Sequence, residues 1–181
     1  METRILNLIK DLSIEKEAQW CVEAHKSVNH MYGDLPYEYH LSLVFDFAHK
    51  NMHLVPDNIR RDCLIAAWAH DTIEDCRLTY NDVKKSLGEN VAEIVYSLSN
   101  EKGKNRKERA NEKYYEGIRS TEGSVFVKLC DRLANVYHST DVKSRMVDLY
   151  RKENAEFMSH LDRDGNKDLE PMFSQLESML K

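Results

Sequence analysis

The chain has 181 residues, of which 41% are hydrophobic and 31% charged, and its formal net charge is −5. This composition excludes a disordered chain, and the length predicts one globular domain over residues 1–181, whose C-terminal helices are expected over 141–180. The negative charge disfavours general nucleic-acid binding, and no apolar run approaches the ~20 residues of a membrane helix. Neither a nucleic acid nor a membrane is therefore an expected partner.

The first residues and the cysteines predict the compartment. The opening stretch METRILNLIKDLSIEKE mixes acids with apolar residues, which is not the pattern of a signal peptide. The four cysteines, at positions 21, 63, 76 and 130, form no CxxC pair. We therefore expect reduced core thiols in a cytoplasmic protein.

Apolar residues recur at helical spacing along nearly the whole chain, and only 3 Pro and 6 Gly interrupt them. No segment shows the convincing alternation of a β-strand, so the predicted fold class is all-α, with about ten helices. The predicted helices cover residues 3–10, 14–31, 37–51, 57–73, 80–87, 89–100, 105–118, 122–138, 141–160 and 169–180. Pro56 with Asp57 marks one helix start. Thr79 with Asp82 resembles a capping box at another start, and Gly88 predicts the end of that helix.

The segment AHDTIED places two ionisable residues, His70 and Asp71, where the apolar run LIAAWA stops. Neighbours on a helix point about 100° apart, so two adjacent ligands can hold one ion only at a helix end or kink. Imidazole with carboxylate suits a divalent ion such as Mn, Fe or Zn. His40 and Asp131 are candidates for the remaining ligands. The alternatives are a satisfied core histidine for His40 and, for Asp131, a salt bridge to neighbouring cations or a helix cap.

Four segments together resemble a known family over roughly residues 15 to 155. They are AHKSVNHMYGDLPYEYHLSLV, AAWAHDTIED, LGENVAEIVYSLSNEK and VFVKLCDRLANV. Their order and spacing are similar to those of the HD-domain metal-dependent phosphohydrolases. The closer resemblance is to the hydrolase domain of the RelA/SpoT family and its small stand-alone relatives of the metazoan SpoT-homologue type. The synthetase and regulatory domains of the long family members are not expected in this chain.

The resemblance implies an HD-type helical bundle that holds one divalent metal, usually manganese. The implied ligands are His40, His70, Asp71 and Asp131. The family's Glu-Asp pair falls on Glu74 and Asp75, which would stand beside the metal without binding it and would handle the proton of the attacking water. The alternative for this pair is a solvated helix end. The implied reaction is removal of pyrophosphate from the 3′ position of guanosine tetra- or pentaphosphate.

The resemblance also predicts contacts to a small-molecule nucleotide substrate. These are Lys102, Asn135, Tyr150, Arg145 and His30. Arg109, in the cationic run after Lys102, is a further candidate. The family's arginine that stacks on guanine has no counterpart here, because the equivalent stretch reads His30, Met31 and Tyr32. His30 or Tyr32 could stack on a base, but neither supplies a guanidinium plane.

Two other functions stay open at the level of the sequence. One is hydrolysis of a phosphate ester on another nucleotide, such as the 2′-phosphate of NADPH or a nucleoside monophosphate. The other is a catalytically silent HD module that senses a nucleotide or binds a partner. The sequence predicts neither the oligomeric state nor which of several divalent metals is used.

Overall fold

The structure is a computed structural model that describes residues 2–100 and 103–181. The all-α prediction is confirmed, and the described residues form twelve α-helices. They are α1 (Thr3–Asp11), α2 (Glu15–Ser27), α3 (Glu38–Asn51), α4 (Asp57–Ala69), α5 (Thr72–Asp75), α6 (Tyr80–Leu87), α7 (Glu89–Leu98), α8 (Arg106–Arg109), α9 (Glu112–Ser120), α10 (Ser124–Asp141), α11 (Met146–His160) and α12 (Glu170–Leu180). Short 3-10 turns cover Met52–Leu54 and Lys167–Leu169.

Three of the predicted helix ends are confirmed by the caps. Helix α4 begins at Asp57, directly after Pro56. Thr79 and Asp82 form a reciprocal capping box at the start of α6, so both donors at that end are satisfied. Gly88 ends α6 with a φ of 98°, a left-handed conformation that glycine adopts without a Cβ clash.

Two predicted helices are each two helices in the structure. The predicted helix over 57–73 breaks after α4, and α5 begins at Thr72, whose hydroxyl donates to the Ala69 carbonyl at 2.7 Å. The predicted helix over 105–118 breaks between α8 and α9, because the Asn111 side chain accepts from the Tyr114 amide and starts a new helix. The first break falls where the apolar run LIAAWA stops, so the sequence indicated a helix end or kink there, but the predicted range did not separate α5 from α4.

The region after α2 contains a β-hairpin that the sequence prediction missed. Helix α2 ends at Ser27 and not at residue 31, and Asn29 has a left-handed φ of 53°. Two short antiparallel strands follow, β1 (Met31–Tyr32) and β2 (Leu35–Pro36), with Tyr32 paired to Leu35. Strands of two residues are too short for a period-2 pattern to be visible in the sequence.

Helix α10 lies at the centre of the fold and packs against α3, α4, α7, α9, α11 and α12. The largest fully buried side chains are aromatic and include Trp68, Phe45, Phe126 and Phe173. The four cysteines are buried free thiols, as predicted. In the described part of the chain, no helix has both the length and the apolar character needed to cross a bilayer. Because α3, α4 and α10 pack together, polar residues on their facing sides are forced into one buried cluster.

Helix α12 packs on α10 through apolar side chains, so shortening one of them tests how much this contact stabilises the fold. Leu176 is fully buried. Replacing Leu176 by alanine is expected to lower the free energy of unfolding by about 2–5 kcal/mol, because transfer and cavity terms add. Urea denaturation followed by circular dichroism measures the change. Gln175→Ala, at the exposed neighbouring position, should change stability by no more than about 0.5 kcal/mol.

Candidate functional site

Three residues from three helices form a buried cluster of potential metal ligands. His40 lies on α3, His70 follows the last residue of α4, and Asp131 lies on α10. Their ligand atoms all fall within 4.8 Å of one another. His40 Nε2 is 3.3 Å from His70 Nε2 and 3.4 Å from Asp131 Oδ1. The two histidines are only 1% and 3% exposed, so an ion placed here would be shielded from bulk water.

Asp71 approaches the same histidines from the break between α4 and α5. It lies outside the compact group of three, but its Oδ2 is 2.8 Å from His70 Nε2 and 3.9 Å from His40 Nε2. The Tyr37 hydroxyl donates to the same Oδ2 and holds the carboxylate in place. The helix break therefore makes it possible for two adjacent residues, His70 and Asp71, to face one point.

The hydrogen bonds of His70 determine which of its nitrogens faces the cluster. His70 Nδ1 lies 3.0 Å from the Ala67 carbonyl, which can only accept, so Nδ1 carries a proton and Nε2 points at the other ligands. Burial lowers the pKa of His70, but Asp71 and Asp131 more than offset it and raise this pKa to about 9. The cluster therefore favours a positive charge at Nε2. Two imidazoles with two carboxylates are a donor set that fits a borderline divalent ion.

Asp131 is held at both of its carboxylate oxygens. Lys128 Nζ donates to Oδ2 at 3.0 Å, so the alternative of a salt bridge to a neighbouring cation describes a real contact. The other oxygen, Oδ1, faces the two histidines and accepts from Asn135 Nδ2 at 2.5 Å. The two roles do not exclude each other, because an ionised carboxylate has about four acceptor positions.

The carboxylate pair of α5 lines an open cleft of about 650 Å³ that also contains His40, Asp71 and Asp131. Both Glu74 oxygens accept from Asn100 Nδ2, at 2.9 and 2.8 Å, and the Asn100 backbone amide adds a third contact at 3.3 Å. Burial, then the charges of Asp71 and Glu74, raise the pKa of Asp75 to about 7. A carboxylate with this pKa can both accept and release a proton near neutral pH.

The predicted substrate contacts separate into three groups. Asn135 and Tyr150 line the cleft, and so does Arg109. Arg145 and His30 are not among the described residues that line the cleft. Arg145 is exposed and directly precedes α11, and His30 borders a separate cavity of about 210 Å³. Lys102 lies outside the described residues.

His30 is part of a stack of rings and does not project into the cleft as a free stacking surface. Its ring lies 3.7 Å from that of Tyr37, with the ring planes 15° apart, and its Nδ1 is 2.9 Å from His25 Nδ1. Tyr32, the other residue that could stack on a base, also makes a contact within the protein. Its hydroxyl donates to Asn135 Oδ1 at 2.8 Å.

Several cleft residues were not among the predicted site residues. They include Tyr37, Asn100, Lys128, Arg132 and His160. Lys128 had a visible signal, because it lies three residues before Asp131 on the same face of an apolar helix. Arg132 is 7% exposed, and its guanidinium lies over the rings of Tyr150 and Phe157 at 4.8 and 4.1 Å. Asn100 had no local signal, because its partner lies 26 positions away.

A bound divalent ion should stabilise the fold, since the four donors come from helices far apart in sequence. At an ion concentration of about 100 times the dissociation constant, the gain is about 2.7 kcal/mol. For a chain of this size that corresponds to a rise in melting temperature of about 5–10 °C. Differential scanning fluorimetry with Mn²⁺ and with a chelator measures it. Equal melting temperatures in the two conditions would contradict a structural contribution of the ion.

Comparison with known proteins finds curated relatives that match part of this chain. No family model matches the chain. It is 32% identical over 128 residues to the guanosine-3′,5′-bis(diphosphate) 3′-pyrophosphohydrolase of Aquifex aeolicus, a match covering 68% of this chain and 17% of that protein. It is 33% identical over 73 residues to the Mus musculus protein of the same name, MESH1, covering 40% of this chain and 41% of that one. The match thus spans less than half of each relative.

A solved structure extends the likeness to nearly the whole fold. A metazoan orthologue of SpoT, described as hydrolysing ppGpp, superposes with a TM-score of 0.65 at 22% identity, over 88% of this chain and 93% of the other. At this identity the superposition shows the fold alone. The resemblance predicted from the sequence is confirmed: this chain is related to the guanosine-3′,5′-bis(diphosphate) 3′-pyrophosphohydrolases and has the helical fold of a metazoan SpoT orthologue.

Proposed function

We propose that this protein is a manganese-dependent hydrolase that removes the 3′-pyrophosphate from guanosine tetra- or pentaphosphate. The observation that carries the proposal is the cluster of two buried histidines, His40 and His70, with the partly exposed Asp71 and Asp131, which opens on a cleft lined by a second pair of carboxylates. The names of the relatives support the substrate. We also propose that residues 1–181 form a single HD phosphohydrolase domain, supported by a continuous core from Ile5 to Leu180.

Each part of the cluster has a defined task in this proposal. His40, His70, Asp71 and Asp131 would hold the divalent ion, with manganese first and iron or zinc as alternatives. Such an ion, when bound, polarises a phosphoryl oxygen and lowers the pKa of water. His70 is oriented for this task by the Ala67 carbonyl.

Glu74 and Asp75 act on the water and its proton. Asn100 holds both Glu74 oxygens, so this carboxylate keeps one orientation at the wall of the cleft, where it can orient a water molecule. Asp75, with a pKa of about 7, accepts the proton that the water loses. Glu74 and Asp75 are exposed at the end of α5, as a solvated helix end would also be, and the three contacts from Asn100 to Glu74 are what support a fixed orientation of this carboxylate.

The charges of the cleft walls orient an anionic substrate. Arg109, Lys128 and Arg132 contribute positive charge, whereas Glu153 and Glu156 on α11 contribute negative charge. Lys128 is paired with Asp131 at 3.0 Å and Arg132 with Glu153 at 3.5 Å, so their charges are partly neutralised, and a pyrophosphate group would be attracted to Arg109 and to the donors that these two cations still offer. Contacts from Lys102, Asn135, Tyr150, Arg145 and His30 remain predictions of the family resemblance.

Incubation of the purified protein with guanosine tetraphosphate and Mn²⁺ tests the proposal. The expected products are GDP and pyrophosphate, measured by anion-exchange chromatography. Chelator-treated protein should be inactive and should recover when Mn²⁺ is restored. A sample shown to contain the ion that forms neither product would refute the substrate assignment.

A second candidate is hydrolysis of a different nucleotide, and the ring contacts of the hairpin region favour it. His30 is stacked on Tyr37, and Tyr32 is hydrogen-bonded to Asn135, so neither residue is offered to a guanine base as the family's arginine is. A product screen with NADPH and deoxynucleoside monophosphates separates the two functions. A silent nucleotide-sensing module would bind a nucleotide in the same screen and release no product.

A further inference from the structure

The hairpin of β1 and β2 brings one tyrosine onto the proposed ligands. Tyr32 lies on β1, next to Gly33, whose φ of 61° turns the chain back toward β2. The Tyr32 ring stacks on the His40 ring, with centroids 4.7 Å apart and planes at 20°. Its hydroxyl donates to Asn135 Oδ1 at 2.8 Å, on the central helix α10. One residue thus contacts two parts of the site that are about a hundred positions apart.

The Asn135 amide is held at both of its ends, by Tyr32 at the oxygen and by Asp131 at the nitrogen. The amide oxygen can only accept, and it faces the Tyr32 hydroxyl, which can donate. The amide nitrogen then faces Asp131, where it donates to Oδ1 at 2.5 Å and to the backbone carbonyl at 3.0 Å. Both ends of the amide are satisfied within the protein in this orientation only. A flipped amide would place its oxygen against the Asp131 carboxylate and carbonyl, which can only accept, so Asp131 selects this orientation and the Tyr32 hydroxyl anchors the opposite end.

The oxygen that Asn135 holds is the one that faces the histidines. Asp131 Oδ1 lies 3.4 Å from His40 Nε2 and 3.8 Å from His70 Nε2. Lys128 holds the opposite oxygen of the same carboxylate at 3.0 Å. With both oxygens held, the Asp131 carboxylate has no freedom to turn Oδ1 away from the cluster.

We propose that Tyr32 is a positioning residue of the metal centre. Through Asn135 it fixes the Asp131 oxygen that faces the ion, and through its ring it fixes the plane of His40. Asn135 is the link in this relay, which is a different role from the substrate contact that the sequence predicted. This inference rests on the proposed metal centre, and it is independent of which nucleotide is hydrolysed.

The test compares Mn²⁺ affinity in matched variants by isothermal titration calorimetry. Tyr32→Phe removes the hydroxyl and keeps the stacked ring, and it should weaken Mn²⁺ binding by about 10-fold, the usual effect of losing a partner of a metal ligand. Tyr32→Leu removes the ring as well and should weaken binding further. Tyr39→Phe is the control, because the Tyr39 ring also contacts Tyr32 but belongs to no part of the proposed relay. The melting temperatures of the variants and of the unaltered protein are compared in the presence of a chelator. Equal values show that weaker Mn²⁺ binding is not caused by a loss of fold.

A second readout uses the metal-free protein, so that it does not depend on the ion. The side-chain amide signals of Asn135 in a nitrogen-15 NMR spectrum, assigned by their loss in Asn135→Ala, should shift and exchange faster with solvent in Tyr32→Phe. Unchanged amide signals, or Mn²⁺ affinity equal to that of Tyr39→Phe, would overturn the inference. Failure of the unaltered protein to bind Mn²⁺ would instead contradict the proposed function, while the amide signals would still decide the link between Tyr32 and Asn135.

Discussion

Replacing His70 by alanine is expected to remove the bound divalent ion and to lower hydrolysis by about 10³-fold or more, because metal catalysis is worth several kcal/mol. His70 Nε2 lies 2.8 Å from Asp71, 3.3 Å from His40 and 3.8 Å from Asp131, so it is close to all three of the other proposed ligands. The substitution also removes the imidazole at the Ala67 carbonyl. Elemental analysis gives the metal content, and product formation gives kcat/KM.

The control for this variant is His53→Ala, because His53 is exposed and follows α3 on the surface. It should keep both the metal and the activity of the unaltered protein. Circular dichroism must show that the His70 variant is folded before its activity is interpreted. A folded His70→Ala protein that keeps one equivalent of metal would contradict the assigned ligand set.

Replacing Glu74 by glutamine is expected to lower hydrolysis by about 10²–10⁴-fold while the metal content stays unchanged. The substitution removes the negative charge and keeps the shape of the side chain. Asn100 can then donate to the one remaining oxygen, so the side chain should stay at the wall of the cleft. Initial rates measured at saturating Mn²⁺, with elemental analysis of the same sample, separate a role in proton transfer from a role in metal binding.

Two further variants show whether a lower rate in Glu74→Gln is specific to the carboxylates beside the water. Glu116→Gln, at an exposed position on α9, should have no effect on the rate. Asp75→Asn should reduce the rate by a similar factor if Asp75 accepts the proton. Loss of the metal from Glu74→Gln would make Glu74 a ligand and would refute its assignment as a residue beside the water.

Helix identity followed from local patterns, whereas helix breaks depended on contacts within the fold. The start of α4 after Pro56 and the capping box of α6 are encoded within three or four neighbouring residues, and both were predictable. The separate helix α5 after Ala69 and the hairpin at Met31–Pro36 were not predictable in this way. The end of the apolar run marks a helix end or kink but not a new helix, and the two strands are too short to display alternation.

The sequence by itself determined the fold class, because helical periodicity is a local property, and its resemblance to a known family supplied the set of candidate ligands. The tertiary structure alone decided how those candidates are held. Tyr32 meets Asn135 across 103 positions, and Asn100 meets Glu74 across 26. Such contacts arise only when helices far apart in the chain pack together, so no spacing rule reveals them. The packing of α3, α4 and α10 is the physical reason that isolated polar residues on apolar helices become one buried cluster.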